Sequence, residues 1–410
     1  MDPINVGKRL RAARERSGLS QQEVADRLGV QRTAVTLIEG GQRHVSTTEL
    51  AHLASLYRRS ISELLEPSDR FEEDYAVVLH RRAPELENNP QVRIDIENCL
   101  GRCRLGIELE RMLGRPARQG PPKFAQVFPK SVSEAVAQGF EVATEERRRL
   151  ALGSAPIRNI VERINAQGVW AVTTPLNSDM SGLFMQHPAI GLVTIANRHH
   201  ALSRRRFSFA HEYGHSLMDR DRDVQVSTTG NSEDLVEKRA NAFAAAFLLP
   251  ASGVELFLAN LDKGRSTRQQ QLVYDVASNG NFDVESRETP NSQKITYQDV
   301  ALLANSYGVS YEAAVYHLNS LRYLDRPETQ LLRSKSALAK RYLDLFGLRP
   351  SDTPDPDRDG PELERQILYL AMEAFRREEI SRGRLLDIGT SLNVAAKDLL
   401  WLVNMEQEIG

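Results

Sequence analysis

One stretch constrains this chain more than any other: Phe207 to His215, which reads Phe-Ser-Phe-Ala-His-Glu-Tyr-Gly-His. On a helix, His211 and His215 stack on one face, where two imidazoles can share a cation. Glu212 lies between them, within reach of a water on that cation and so placed to act as its base. Arg204, Arg205 and Arg206 precede an apolar set, Phe207, Phe209, Ala210, Leu217 and Met218. The apolar positions are expected to pack the helix while its histidines face a cleft. Such a helix cannot complete the site alone, because a hydrolytic zinc takes three protein ligands and keeps one position for water. The fold has to bring a second ligand-bearing element against it.

The segment from Glu233 to Pro250 is the candidate, a strongly helical stretch ended by a proline. Its small residues Ala240, Ala244 and Ala245 would let it come close to the first helix. Glu237, one turn before Ala240 and Asn241, can point at the same metal. Glu233 is its competitor, but an acidic residue near a helix start commonly complements the helix dipole. We assign that role to Glu233 and the ligand role to Glu237.

Arg-Phe-Ser-Phe-Ala-His-Glu-Tyr-Gly-His, followed by Glu-Lys-Arg-Ala-Asn-Ala-Phe-Ala-Ala-Ala-Phe-Leu-Leu-Pro, resembles the ImmA/IrrE family of metallopeptidases. The resemblance implies a zincin-like core with a small sheet, in which His211, His215 and Glu237 bind the metal and Glu212 is the general base. The stretch from Pro156 to Asn197 is similar as well: a helix, a Gly-Val turn, short strands, then a hydrophobic strand ending in Asn. Tyr213 stands where many relatives carry Leu, a departure expected to alter packing and not ligation. Zinc is the first choice for two nitrogens and one carboxylate, though ligand type alone also admits manganese or iron. Arg206, His199, His200 and Tyr213 are the candidates for oxyanion stabilisation, while His187 and His44 are expected to have no catalytic part.

Residues 4 to 66 read as a compact helical unit. Ser20 caps a helix from Gln21 to Leu28 with Glu23 three residues on, a capping box, and Gly29 ends it. A second helix, Gln31 to Glu39, follows after the tight turn, which is the helix-turn-helix arrangement. Its exposed face would carry Gln31, Arg32, Thr33 and Thr36, with Ala34, Val35 and Ile38 turned inward. Gln and Arg are side chains that read base edges, and Gln21 and Arg43 are suited to hold phosphates. Leu-Ser-Gln-Gln-Glu-Val-Ala-Asp-Arg-Leu-Gly-Val and Leu-Ile-Glu-Gly-Gly-Gln-Arg look like the Xre/Cro family of DNA-binding domains. The unit's basic excess is small, so useful affinity for a double-stranded operator calls for a homodimer.

The remaining chain reads as mostly helical. Helices are expected at Phe71 to Leu79 and Val92 to Leu113, around a break from Pro84 to Pro90, and another within residues 126 to 150. The arginines Arg147, Arg148 and Arg149 would lie on a solvated helix end. Ser278 to Gln293 is polar and aperiodic, which predicts a mobile loop near the cleft. Thr296 to Arg322 and Ile380 to Leu402 mimic helix-turn-helix outlines without a basic face and read as packing or partner surfaces. Leu332 to Phe346, Glu362 to Glu378 and Ser381 to Met405 complete the helices, around a break from Pro350 to Gly360. The fold class is therefore α+β, mostly helical. We expect a five-helix DNA-binding domain at 1–66, a helical linker region at 67–150, the peptidase domain at 151–325 and a helical C-terminal domain at 326–410.

A net charge of −2 argues against a protein that coats nucleic acid non-specifically, while leaving a local basic face open. No run of about eighteen apolar residues predicts a membrane span, and the N-terminus lacks the apolar stretch of a signal peptide. Cys99 and Cys103, the only 2 cysteines, would share a helical face but cannot close a zinc site, so reduced buried thiols and a cytoplasmic setting are expected. Relatives that cleave an Xre-type repressor suggest two functions for such a chain. It could cut a repressor, or itself, to switch stress, mobile-element or defence genes. Alternatively, it could regulate transcription with the zincin domain as a sensor or scaffold.

Overall fold

A computed structural model describes residues 3–57, 61–65, 90–221, 224–228, 230, 233–263, 268–275, 280–287, 292–348, 362–399 and 401. The helix expected at Phe71 to Leu79, the Pro350 to Gly360 break, all but the end of the Pro84 to Pro90 break and the end of the last helix lie outside them. The chain divides into two compact units: residues 1–118 with 187–191 and 361–410, and residues 119–186 with 192–360.

In the first unit, α1 (Pro3–Arg16), α2 (Gln21–Leu28), α3 (Arg32–Glu39), α4 (Thr47–Tyr57) and α5 (Ile61–Leu65) close around one apolar core. Leu10, Val24, Ala25, Val35, Ile38 and Leu53 are buried in it. The Ser20–Glu23 capping box starts α2, and Gly29 ends it at φ 68, a left-handed cap that glycine adopts without strain. A buried ion pair, Arg14 Nε to Glu39 Oε1 at 2.6 Å, joins α1 to α3. In the same unit, α6 (Pro90–Met112) packs against α16 (Glu362–Arg376), and α17 (Arg382–Ser391) follows α16. Cys99 and Cys103 are buried and free on α6.

The second unit holds a mixed four-stranded sheet of β1 (Val169–Thr174), β2 (Met180–His187), β3 (Gly191–Asn197) and β4 (Val224–Thr228), in the order β1-β3-β2-β4. β1 runs parallel to β3, and β2 antiparallel to β4. Strands β1 and β3 are buried almost throughout, as expected of strands covered on both faces. Helices α7 (Val132–Arg149), α8 (Ile160–Asn165), α9 (Leu202–Met218), α10 (Leu235–Leu248) and α11 (Ala251–Asn260) complete the core with α12 (Tyr297–Tyr307), α13 (Tyr311–Ser320) and α14 (Arg326–Arg333), while α15 (Ser336–Leu345) packs on α12 in a smaller cluster.

Several expectations are corrected. Leu332 to Phe346 is not one helix, because the chain breaks after Arg333 and restarts at Ser336; Ser334 turns its hydroxyl back onto the Leu331 carbonyl. The polar stretch expected as a loop contains a strand, β6 (Gly280–Arg287), paired antiparallel with β5 (Arg268–Asp275). Backbone pairing satisfies its amides without requiring an apolar face, so composition gave no sign of it. Arg147 is not solvated: it is buried and donates to the carbonyls of Gly153, Ala155 and Phe247. Arg205 and Arg206 are likewise buried, on a helix enclosed nearly all round instead of on one face.

Close approach in this unit also depends on glycines outside α10. A Cβ at Gly139 on α7 would meet the Arg239 carbonyl oxygen at 2.4 Å and the Ala242 Cβ at 2.8 Å, and one at Gly214 on α9 would meet the Phe243 ring at 2.8 Å. Together they let α7 and α9 both lie against α10. Among the described residues no single helix is long and apolar enough to cross a membrane; the apolar pair α10 and α11 is bent by 41°. Gly139→Ala should destabilise the protein by about 1–3 kcal/mol in urea unfolding, since the clash is with backbone that cannot swing away. A change below about 0.5 kcal/mol would mean that the two helices separate freely.

Candidate metal centre and DNA-reading helix

The second half of α9 is buried on every side, so the polar atoms of its motif must find partners inside the protein. They find them on α10. His211 Nε2 lies 3.1 Å from Glu237 Oε2, and His215 Nε2 lies 3.1 Å from His211 Nε2 and 3.5 Å from Glu237 Oε1. One donor atom from each of the three residues falls within 4.8 Å of the others. A tetrahedral cation with bonds near 2.0–2.1 Å holds its ligands about 3.3 Å apart, so this donor set fits one. Glu233, by contrast, is exposed and bonds Lys238; Asp234 caps α10 instead.

The outer ring nitrogens are held as well. His211 Nδ1 is 2.9 Å from Asn241 Oδ1, and His215 Nδ1 is 2.8 Å from Asp219 Oδ2. Both acceptors call for a proton on Nδ1, which leaves the Nε2 lone pairs facing the centre. Asp219 in turn accepts from Arg239 at 2.5 Å, a buried link between the end of α9 and α10. Sequence reading had not assigned Asn241, Asp219 or Arg239 to the site. Helical spacing held a signal: Asp219 lies one turn beyond His215, and Asn241 one turn beyond Glu237.

Glu212 is the exception in this ring of partners. It is 0% exposed, and neither carboxylate oxygen makes a well-aligned hydrogen bond, although the Ser227 hydroxyl lies near enough to favour its charged form. It reaches β2 at Gly182, where a Cβ would stand 2.8 Å from Glu212 Oε1. Burial pushes its carboxyl up to about 7; the two histidines and the Ser227 hydroxyl oppose the shift and Glu237 adds to it. Burial would also keep His215 neutral, but its hydrogen bonds to Asp219 and Glu237 prevail and raise it to about 10. Burial would raise Glu237, yet His211 and His215 hold it well below the usual carboxylate range. In the metal-free chain, positive charge on His215 thus balances Glu237 where a cation would otherwise lie.

The oxyanion candidates are placed differently. The Arg206 guanidinium donates to the carbonyls of Ile157, Arg158, Tyr307 and Gly308. The Tyr213 hydroxyl donates to the buried Glu146 carboxylate, tying α9 to α7. Both are therefore engaged in holding the fold. His199 is exposed, and His200 Nδ1 is buried without a partner.

In the other unit, Gln31, Arg32, Thr33 and Thr36 are all exposed along α3 and its N-cap, while Val35 and Ile38 are buried beneath. Gln21 is half-buried and internally bonded: its amide donates to Glu39 Oε2 at 2.9 Å and accepts from Thr36 Oγ1 at 3.2 Å. Arg43 pairs with Glu49 at 2.7 Å. Gln21 thus fixes α2 against α3; Gln31, Arg32 and Thr33 stay open on one face, where Thr36 is exposed but bonded to Gln21.

Comparison with known families agrees with both readings. Residues 164–272 match the peptidase M78 family model, described as the IrrE N-terminal-like domain, and residues 5–66 match that of a helix-turn-helix domain. No curated protein matches the chain. The chain carries a DNA-binding helix-turn-helix domain and a metallopeptidase-type domain, whose family points to a metal cofactor.

The Glu212 carboxyl fixes a pH test on metal-free protein. Below pH 4.5 it is protonated whether the chain is folded or not, so burial costs nothing there. Between 4.5 and about 7 the unfolded state ionises first and stability falls; above about 7 the penalty is constant. Glu212→Gln should therefore be roughly 3 kcal/mol more stable than metal-free wild type at pH 8 and little different at pH 4, by denaturant unfolding. A difference independent of pH would contradict the burial of an unpartnered carboxylate.

Proposed function

We propose that this chain, a helix-turn-helix domain joined to an IrrE-like metallopeptidase domain, is a DNA-binding regulatory zinc endopeptidase. It cleaves a transcriptional repressor of the Xre type, or itself, and so releases genes of a stress, mobile-element or defence response. The observation that carries the reading is Glu212: a fully buried carboxylate outside the bonds that hold the histidines, beside two histidines and a glutamate whose donor atoms converge. A centre with only a structural task has no use for it.

His211, His215 and Glu237 would hold the zinc; manganese or iron would be bound by the same donor types. When bound, the metal polarises the scissile carbonyl and acidifies a water. Glu212, its carboxyl near neutrality, accepts a proton at its carboxylate and returns it to the leaving amine. Asn241 and Asp219 keep the two imidazoles turned inward during the cycle. At the sheet's edge, β4 offers a backbone to which an extended peptide can add. On the DNA side, Gln31, Arg32, Thr33 and Thr36 would meet base edges, with Gln21 and Arg43 nearer the phosphates once their internal bonds rearrange. We assign the four segments expected from sequence the same roles, and the cytoplasm as the setting.

The second reading is a sequence-specific regulator whose zincin domain senses or scaffolds without proteolysis. The engagement of Arg206 and Tyr213 in the fold favours it to one degree, since neither is free to steady an oxyanion. Glu212→Gln distinguishes the two. The variant should keep its metal by elemental analysis and its operator binding by mobility shift, and lose cleavage of the repressor. Cells carrying it that regulate their targets normally would rule out the protease reading.

DNA recognition is tested separately. Arg32→Ala in the full chain should weaken operator binding by about 1–3 kcal/mol at fixed salt and relax the preference at one base position. Unchanged affinity would remove α3 from the interface.

A further inference from the structure

β2 and β4 meet the metal centre at a single register position. Gly182 and Ser227 are cross-strand partners, next to a register irregularity between Met180 and Gly182. Side chains directly opposite in an antiparallel pair share a face. On that face Gly182 has no side chain, and its absence leaves room for the Glu212 carboxylate. Ser227 has one, and its hydroxyl oxygen lies 3.1 Å from His211 Nε2. The residue is buried, 3% exposed.

The three neighbours of His211 Nε2 stand at one distance: His215 Nε2, Glu237 Oε2 and Ser227 Oγ are each 3.1 Å away. A vertex of a tetrahedron has three edges, and those of a four-coordinate zinc site are about 3.3 Å long. Two of these neighbours are the other candidate ligands; the third, the Ser227 hydroxyl, stands beside the same nitrogen on the side of β2 and β4. A neutral hydroxyl is a weak ligand beside carboxylate and imidazole, but a good hydrogen-bond donor. Once a cation occupies the His211 Nε2 lone pair, this buried hydroxyl is released from His211 and has the Glu212 carboxylate and any oxygen bound beside the metal as its candidate acceptors.

We propose that Ser227 lines the open ligand position and donates its hydroxyl hydrogen to whatever oxygen binds there, making it a catalytic residue that sequence reading did not single out. The assignment rests on the metal-centre reading above. It gives the site a donor in place of Arg206 and Tyr213. The irregularity beside Gly182 is the local feature that aims β4, since such irregularities re-aim side chains near active sites.

The test uses the full chain loaded with cobalt and acetohydroxamate, a small oxygen ligand for the open position, followed by visible absorption. Ser227→Ala should load one cobalt equivalent as the wild type does, but bind acetohydroxamate about tenfold more weakly. Ser227→Thr, which keeps the hydroxyl, should bind it within about threefold of wild type. Equal or tighter binding by Ser227→Ala would overturn the inference, as would failure of that variant to load cobalt, which would make Ser227 a ligand. A wild-type chain that takes up no cobalt would remove the metal-centre reading itself, and this inference with it.

Discussion

The second unit is organised around one constraint: two imidazoles and two carboxylates lie in an interior with almost no access to water. Buried polar groups must be satisfied by one another or left at a cost. Most of the surrounding structure answers that demand. Glu237 faces both histidines from α10, Asn241 and Asp219 hold their outer nitrogens, and Arg239 closes the chain at Asp219. Such a network needs the helices close together, which is where Gly139 and Gly214 act. Neither touches the centre, yet a methyl group at either would press on α10 and move the glutamate relative to the histidines.

The same unit uses arginines in an unusual position for that side chain. Arg147 and Arg206 are buried, and each collects carbonyl oxygens from several segments. A guanidinium has five donors in a fixed fork, so one side chain can satisfy several loop carbonyls. Burial lowers both to about 10, still far above neutrality, so they remain charged. They fasten the ends of α7 and α9 to connecting chain, which steadies the helix that carries the histidines.

How much of this was legible in the sequence follows from what each feature depends on. The cluster was readable because helical spacing alone sets His211 and His215 on one face, and because Glu237 falls on a segment with strong helical character. Helix limits such as Gln21 to Leu28 were readable from local chemistry: a capping box at one end and a glycine at the other. Features that depend on tertiary contact were not. The charged run at Arg147 looks solvated until α10 is laid against it, and Arg206 looks like a flanking cation until the turn at Gly308 reaches it. β6 was missed for a related reason, since a strand can be specified by its partner's backbone as much as by its own side chains. Ser227 lay in a short, polar strand, and only the pairing with Gly182 brings it to His211.

The unpartnered state of Glu212 is the feature hardest to explain by stability. Every other polar atom of the motif has a partner in the network, while this carboxylate has the Ser227 hydroxyl close by but no well-aligned bond. Burial without one leaves a carboxyl that titrates near neutrality, costly to the fold but suited to taking up and releasing a proton. Gly182 sharpens the point. A larger residue there would fill the space that the carboxylate uses, and the strand carries instead the one residue that leaves it open. A fold selected for stability alone would pair or replace the acid. Proton transfer by Glu212, as proposed above, would use a carboxylate held beside the two histidines but outside the bonds that fix their outer nitrogens.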